Sequence, residues 1–221
     1  MINIESYIAS LILLLEREFC ENLLYVGLQG SYLRGDATEY SDIDIMVILD
    51  KLSVSDLDTY RSIIQSLGDY DKSCGFICSK SDLANWNPLE ICNLLHSTKD
   101  YYGCLQDFIP FYTDQDIRNF VKFSINNLYH ELCHRYIHAT PEKNIAHLPC
   151  TYKGVFFILQ NLYYLRSRTF ISTKLELLSL LQGKDHDVLK CAMDMNNGIQ
   201  WDFSECFELI LSWCQEILQS I

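Results

Sequence analysis

The chain has 221 residues, of which 49% are hydrophobic and 21% charged, so it can form one large or two small globular domains. This composition excludes a disordered chain. With 17 basic against 29 acidic residues the net charge is −12, which disfavours nucleic-acid binding and favours a small cationic partner or an anion bound through metal ions.

The N-terminal segment predicts an amphipathic helix over residues 4–20. Its apolar side chains recur at helical spacing, and acidic residues and serines interrupt the apolar patch. We therefore expect neither a secretory signal nor a membrane anchor, and no later segment approaches a membrane span. Ten cysteines without a C-x-x-C pair then indicate reduced, mostly buried thiols in a cytoplasmic protein, with no zinc site built from cysteines.

The sequence GSYLRGDATEYSDIDIMVILD (residues 30–50) follows a predicted short strand over residues 23–29. Its first two residues indicate a turn and a short helical segment, and its final apolar run predicts a second strand over residues 43–49. Glycine lets the backbone approach a ligand, the N–H groups of such a turn can hold phosphate, and the Ser31 hydroxyl adds a donor. We therefore place a phosphate-binding turn at Gly30 and Ser31.

Two aspartates stand at the start of the second strand. Because side chains alternate along a strand, Asp42 and Asp44 share one face, about 6–7 Å apart, while Ile43 and the alternate residues after it enter a core. Like charges in a half-enclosed site repel and raise one pKa, and a divalent cation removes that cost. Ligation by few protein oxygens suits Mg²⁺, which keeps waters and takes further ligands from phosphates. D-x-D alone is commonly a solvated pair, so the preceding phosphate-binding turn makes the pattern specific.

Gly30-Ser31 together with Ser41-Asp42-Ile43-Asp44 resembles the signature of the DNA polymerase β-like nucleotidyltransferase superfamily. The stretch RGDA that begins at Arg34 also matches the usual small bacterial members. Among these, the two-part layout is similar to that of the aminoglycoside-type antibiotic adenylyltransferases, in which a catalytic α/β half precedes a helical half. The signature covers about a tenth of the chain.

The resemblance implies a reaction and a site. Asp42 and Asp44 would hold two Mg²⁺ ions and serve catalysis. A hydroxyl of a small acceptor would attack the α-phosphate of ATP, or of another nucleoside triphosphate, and pyrophosphate would leave. The family also supplies a third carboxylate from a later strand, as metal ligand or general base. The remaining signature residues would belong to the nucleotide site: Gly30, Ser31, Arg34 and Ser41.

A helix from Ser55 to Leu67, capped by Ser53 or Ser55, precedes a third predicted strand over residues 73–79. This strand reads SCGFICS and contains no acid, so we predict Asp71, just before it, as the third carboxylate. Alternation places Asp71 in phase with the small residues at 73 and 75, on the face expected for the two aspartates. Three interpretations stay open: Asp71 is the third carboxylate, the helical half supplies it, or the chain binds nucleotide without transferring it.

After a short helix near residues 88–95, the pattern changes. Pro110 interrupts the chain and Asp114 can cap a helix, so we predict domains over residues 1–110 and 111–221. The predicted fold class is α+β, an N-terminal nucleotidyltransferase α/β domain with a small mixed sheet followed by a C-terminal helical bundle. Apolar residues recur at helical spacing from residue 114 onward, and again over 152–166, 174–182 and 203–219.

Two further patterns occur in the second half. The sequence HELCH at residues 130–134 matches H-E-x-x-H, which can bind zinc with Glu131 as general base, but short matches of this kind are frequent. Basic residues concentrate between Lys153 and Lys174, and by similarity of layout we predict that these two lysines contact the outer phosphates.

These patterns together predict a cytoplasmic, Mg²⁺-dependent nucleotidyltransferase. We expect it to move a nucleoside monophosphate, most simply AMP from ATP, to a hydroxyl of a small molecule such as an aminoglycoside-like antibiotic, without nucleic-acid or membrane partners. The alternatives are a protein-modifying transferase of antitoxin type, a catalytically silent nucleotide-binding module and, more remotely, a zinc peptidase. The oligomeric state is left open.

Overall fold

The computed structural model describes residues 2–221, which form two compact units divided between Tyr112 and Thr113. The predicted α+β class is confirmed, because a mixed four-stranded sheet lies in the first unit and the second is helical. None of the helices within the described residues combines the length and the apolar character needed to cross a bilayer.

The first unit alternates helices and strands around its sheet. The sheet order is β3-β2-β1-β4, with β2 parallel to β3 and the other two pairs antiparallel. Its elements are α1 (Ile4–Phe19), β1 (Leu23–Leu28), α2 (Gly30–Arg34), β2 (Ile43–Leu49), α3 (Val54–Ser66), β3 (Ser73–Ser79), α4 (Lys80–Ala84), α5 (Pro88–His96) and β4 (Lys99–Tyr102).

Both faces of this sheet are covered, which explains why β2 is apolar along almost its whole length. On one face, Ile43 and the alternate residues after it pack against α1 and α3. On the other face, Met46 and Ile48 pack with Tyr25, Cys78 and a few residues that follow β3. Asp44 precedes Met46 on this second face, so the sequence places one acid at the margin of a core.

The second unit packs helices around one apolar core in which Trp213 is almost fully buried. Its longest helix begins after Thr113, whose side chain accepts from the Asp116 N–H in a capping box, so the predicted cap at Asp114 is wrong by one residue. The helices are α6 (Asp114–His138), α7 (Pro141–Tyr152), α8 (Val155–Ser167), α9 (Lys174–Leu180), α10 (Gly183–Asn196) and α11 (Phe203–Ser220).

Sequence patterning missed four elements, and each has a weak pattern. The strand β4 has only four residues and begins with a lysine and an aspartate, while α4 has only five. Helix α7 contains Pro149, and α10 begins at a glycine and alternates charged with apolar residues. In each case tertiary packing or capping decides the element where local propensity is poor. Ser53 rather than Ser55 caps α3.

Candidate active site

Asp42 and Asp44 flank the first residue of β2. The Asp42 side chain is exposed, Asp44 is half-buried, and Ile43 between them is fully buried on the opposite face. Burial raises the pKa of the Asp44 carboxyl and the charge of Asp42 raises it further, whereas a hydrogen bond from Cys74 and the charge of Arg34 lower it. The pair therefore carries an electrostatic cost that a bound cation would relieve.

Gly30 packs directly against the Asp44 carboxylate. Its φ of 69° lies in the left-handed region, and a Cβ added there would overlap Asp44 Oδ2. The preceding Gln29 donates its N–H to the Asp44 carbonyl oxygen at 2.8 Å, which ties the end of β1 to the start of β2. Glycine is thus required here because the turn and the acid lie in van der Waals contact.

The other signature residues lie on α2 and in the loop before β2. Ser31 and Arg34 belong to the single turn of α2, and the Arg34 guanidinium lies 3.4 Å from Asp36 Oδ2. The Ser41 hydroxyl accepts the Thr38 N–H at 2.8 Å, so it shapes the loop. The structure therefore brings Gly30, Arg34, Asp42 and Asp44 together. Gly30 contacts Asp44, and the charges of Arg34 and Asp42 lie close enough to shift the Asp44 pKa.

Cys74 completes this group, and sequence reasoning missed it. The parallel register pairs Asp44 with Cys74, so both side chains lie on the same sheet face, and the thiol donates a hydrogen bond to the carboxylate. Burial and the two nearby carboxylates raise the thiol pKa, so the thiol keeps its proton near neutral pH. The sequence signal was present in the SC pair that opens the third strand, but only the register shows that the cysteine meets Asp44.

The alternation argument for Asp71 is wrong. Residues 73, 75 and 77 pair with residues 43, 45 and 47 of β2, which is the face turned away from Asp44. Ile77 accordingly packs with the α1 and α3 side of the core. Asp71 itself is exposed within a 3₁₀ turn, Tyr70–Lys72, so strand alternation does not extend to it. Its catalytic role stays a prediction that no longer has support from strand geometry.

Lys153 and Lys174 line one pocket of about 220 Å³ in the second unit. The Lys174 ammonium lies 5.8 Å from the centre of the Phe156 ring, in a cation–π contact. The neighbouring arginines are engaged elsewhere, since Arg166 pairs with Asp185 at 2.7 Å and Arg168 pairs with Asp114. The basic segment thus divides into arginines paired with acids and two lysines that share a pocket.

The H-E-x-x-H segment does not form a zinc-peptidase site. Glu131 accepts contacts from His147 at 2.8 Å and from the Thr151 hydroxyl at 3.2 Å, so it is turned toward α7. His130 and His134 are exposed and stack, with ring centres 5.8 Å apart. Within residues 2–221 no three His, Cys, Asp or Glu side chains are placed to hold one metal ion.

A metal bound at Asp42 and Asp44 would therefore take its remaining ligands from substrate and water. The oxygen-only pair, the cost of its like charges and the close approach of Gly30 fit a hard divalent cation such as Mg²⁺.

Comparison with known proteins agrees with the arrangement of the first unit. Residues 14–81 match the family model of the nucleotidyltransferase domain, a segment that contains the turn, both aspartates and β3. Over this segment the chain is similar to nucleotidyltransferase domains. The resemblance to DNA polymerase β-like nucleotidyltransferases predicted from the signature is thus confirmed, and so is the enzyme class. No curated protein matches the chain in sequence.

A comparison of folds extends over both units. The structure of a spectinomycin adenyltransferase from Enterococcus faecialis, solved with ATP and spectinomycin, superposes with a TM-score of 0.61. The match covers 98% of this chain and 99% of that one at 13% sequence identity. At this identity the likeness concerns the fold, and it agrees with the predicted resemblance to the antibiotic adenylyltransferases.

Proposed function

We propose that this nucleotidyltransferase uses Mg²⁺ and ATP to transfer AMP to a hydroxyl of a small molecule. The observation that carries the proposal is the contact of Gly30 with Asp44, beside Asp42, inside the segment that matches the family model. A neighbour in fold that was solved with ATP and spectinomycin supports ATP as donor and a small hydroxyl-bearing acceptor, such as an aminoglycoside-like antibiotic. A cytoplasmic location, as predicted from the sequence, is part of this proposal.

The residues have distinct roles in this proposal. Asp42 and Asp44 would hold Mg²⁺, which supplies charge neutralisation at the phosphates. The backbone at Gly30 and the hydroxyl of Ser31 would bind phosphate oxygens, with Arg34 contributing positive charge. The acceptor oxygen forms a bond to the α-phosphorus, the bond to the β-phosphate oxygen breaks, and pyrophosphate leaves as the acceptor proton passes to a base.

The test is acceptor-dependent release of pyrophosphate from ATP and Mg²⁺ with a panel of aminoglycoside-type antibiotics. We expect chelation to abolish release, and Asp42→Asn or Asp44→Asn to lower its rate by at least about a hundredfold, because charge stabilisation in the transition state is lost. Asp50→Asn is the matched control, since Asp50 is an exposed acid at the other end of β2. Full activity of the Asp44 variant would show that the site is elsewhere.

A catalytically silent nucleotide-binding module is the second candidate, and one observation favours it. The β3 side chain that meets Asp44 is a thiol rather than a carboxylate, so β3 supplies no general base beside the pair. In that case Mg²⁺-dependent ATP binding would raise the melting temperature without any pyrophosphate release. Transfer to a protein in place of a small molecule would instead identify an antitoxin-type enzyme.

A further inference from the structure

We propose that Cys74 is a positioning residue of the cation site, whose thiol holds the Asp44 carboxylate in the orientation that binds a divalent cation. The inference rests on the proposed function, because it assumes that Asp44 is a cation ligand. It adds a residue that lies outside the family signature and on a different strand.

The strand register and two hydrogen bonds place the thiol against the carboxylate. Cys74 and Asp44 are direct partners in the parallel β2–β3 register, and the thiol hydrogen-bonds to the acid. The sulfur in turn accepts a hydrogen bond from the N–H of Gly75. Backbone and acid therefore hold the thiol from two sides, although Cys74 is exposed on the surface.

The Asp44 carboxylate is confined on its other side by Gly30. A Cβ at Gly30 would overlap Asp44 Oδ2, so this oxygen lies against the first residue of α2. With the thiol on β3 and the glycine at the start of α2, the carboxylate has little freedom to rotate. A ligand that is held in place before the cation arrives loses less conformational freedom on binding.

A thiol suits this role better than a carboxylate would. It donates a hydrogen bond without adding a third negative charge to a pair that already repels. The Cys74 side chain orients one carboxylate, and the negative charge of the site remains that of Asp42 and Asp44 alone.

The test measures binding of Mn²⁺ alone to the full chain by electron paramagnetic resonance. Cys74→Ala removes the donor and should weaken Mn²⁺ binding about tenfold, whereas Cys74→Ser keeps a donor and should restore affinity to within about threefold of the original. Cys104→Ala is the matched control, an exposed cysteine beyond β4 that should leave affinity unchanged. Melting temperatures of the variants show whether the fold is retained.

Three outcomes separate this inference from the proposed function. Unchanged Mn²⁺ affinity in Cys74→Ala, together with loss in Asp44→Asn, overturns the positioning role alone. Unchanged affinity in Asp44→Asn removes the cation site itself, and the positioning role with it. A thiolate-to-metal absorption band on adding Cd²⁺ to the original chain, absent in Cys74→Ala, would make the sulfur a direct ligand and also overturn the positioning role.

Discussion

At the scale of the residue, Asp44 is the side chain around which the site is organised. Its carboxylate is half-buried, lies near a second acid, and contacts a glycine on one side and a thiol on the other. Burial is the main reason that its pKa rises, and the hydrogen bond from Cys74 and the charge of Arg34 offset this only in part. Such a group is retained at a cost in stability, which is typical of residues that bind ligands.

The pH dependence of stability tests this cost. Because the folded-state pKa of Asp44 lies above 3.8, folding favours the protonated acid, and the favourable contribution is lost as pH rises through the folded pKa. We expect Asp44→Asn to raise the melting temperature at pH 7 by a few degrees and to lose this advantage as pH falls toward 4.

Thermal unfolding between pH 4.5 and 7 without added metal checks this expectation. Asp50→Asn, which removes an exposed charge at the far end of β2, should show no such trend. A less stable Asp44→Asn at pH 7 would mean that hydrogen bonds to the carboxylate outweigh its burial.

At the scale of the element, the parallel β2–β3 pair brings Cys74 to Asp44. Gly75 makes the close approach of these strands feasible, since its φ is 142° and a Cβ there would overlap the Ile45 carbonyl oxygen. Gly75 thus lies on β3 directly beside β2, where no side chain fits.

Replacement of this glycine should be costly. We expect Gly75→Ala to lower the free energy of unfolding by about 3 kcal/mol, because it combines backbone overlap with an unfavourable φ. Gly68→Ala is the matched control, since Gly68 also has positive φ, 80°, but has open space around its Cβ position. There we expect a loss of about 1 kcal/mol from backbone strain alone. Denaturant unfolding measures the free energy of unfolding of both variants. Equal decreases would mean that β3 can shift to accommodate the methyl group of Gly75→Ala.

At the scale of the whole molecule, the chain combines an α/β unit that contains the site with a helical unit that carries Lys153 and Lys174. The net charge of −12 makes any unpaired lysines notable as candidates for phosphate binding. Within residues 2–221 neither lysine forms an ion pair, whereas Arg166 and Arg168 do.

A contribution of the helical unit to nucleotide binding is a prediction from the sequence. We expect Lys174→Ala to weaken ATP binding about tenfold and AMP binding less than about twofold, because the ammonium would contact the outer phosphates. Lys122→Ala, an exposed lysine on α6, serves as the control. Calorimetry with both nucleotides in the presence of Mg²⁺ provides the measurement, and equal weakening for ATP and AMP would exclude Lys174 from an outer-phosphate site.

The sequence by itself determined the class of fold and the centre of the proposed site. The second and third strands were predicted with the bounds observed, because long apolar runs have a strong local pattern. The G-S turn and D-I-D motif lie within 15 residues, 30 to 44, so their proximity follows from local chain geometry. The four-residue β4 and the proline-containing α7 lack such a pattern and depend on packing.

Only the tertiary structure decided what surrounds Asp44 from outside the motif. Cys74 is 30 residues away in sequence, and its place beside Asp44 depends on a parallel register. A shift of that register by one residue would reverse the face of every β3 side chain, and this is why alternation alone led to Asp71. The period of a strand can be read from its residues, but the face that a strand presents to its neighbour is set by pairing and by the cores on both sides of the sheet.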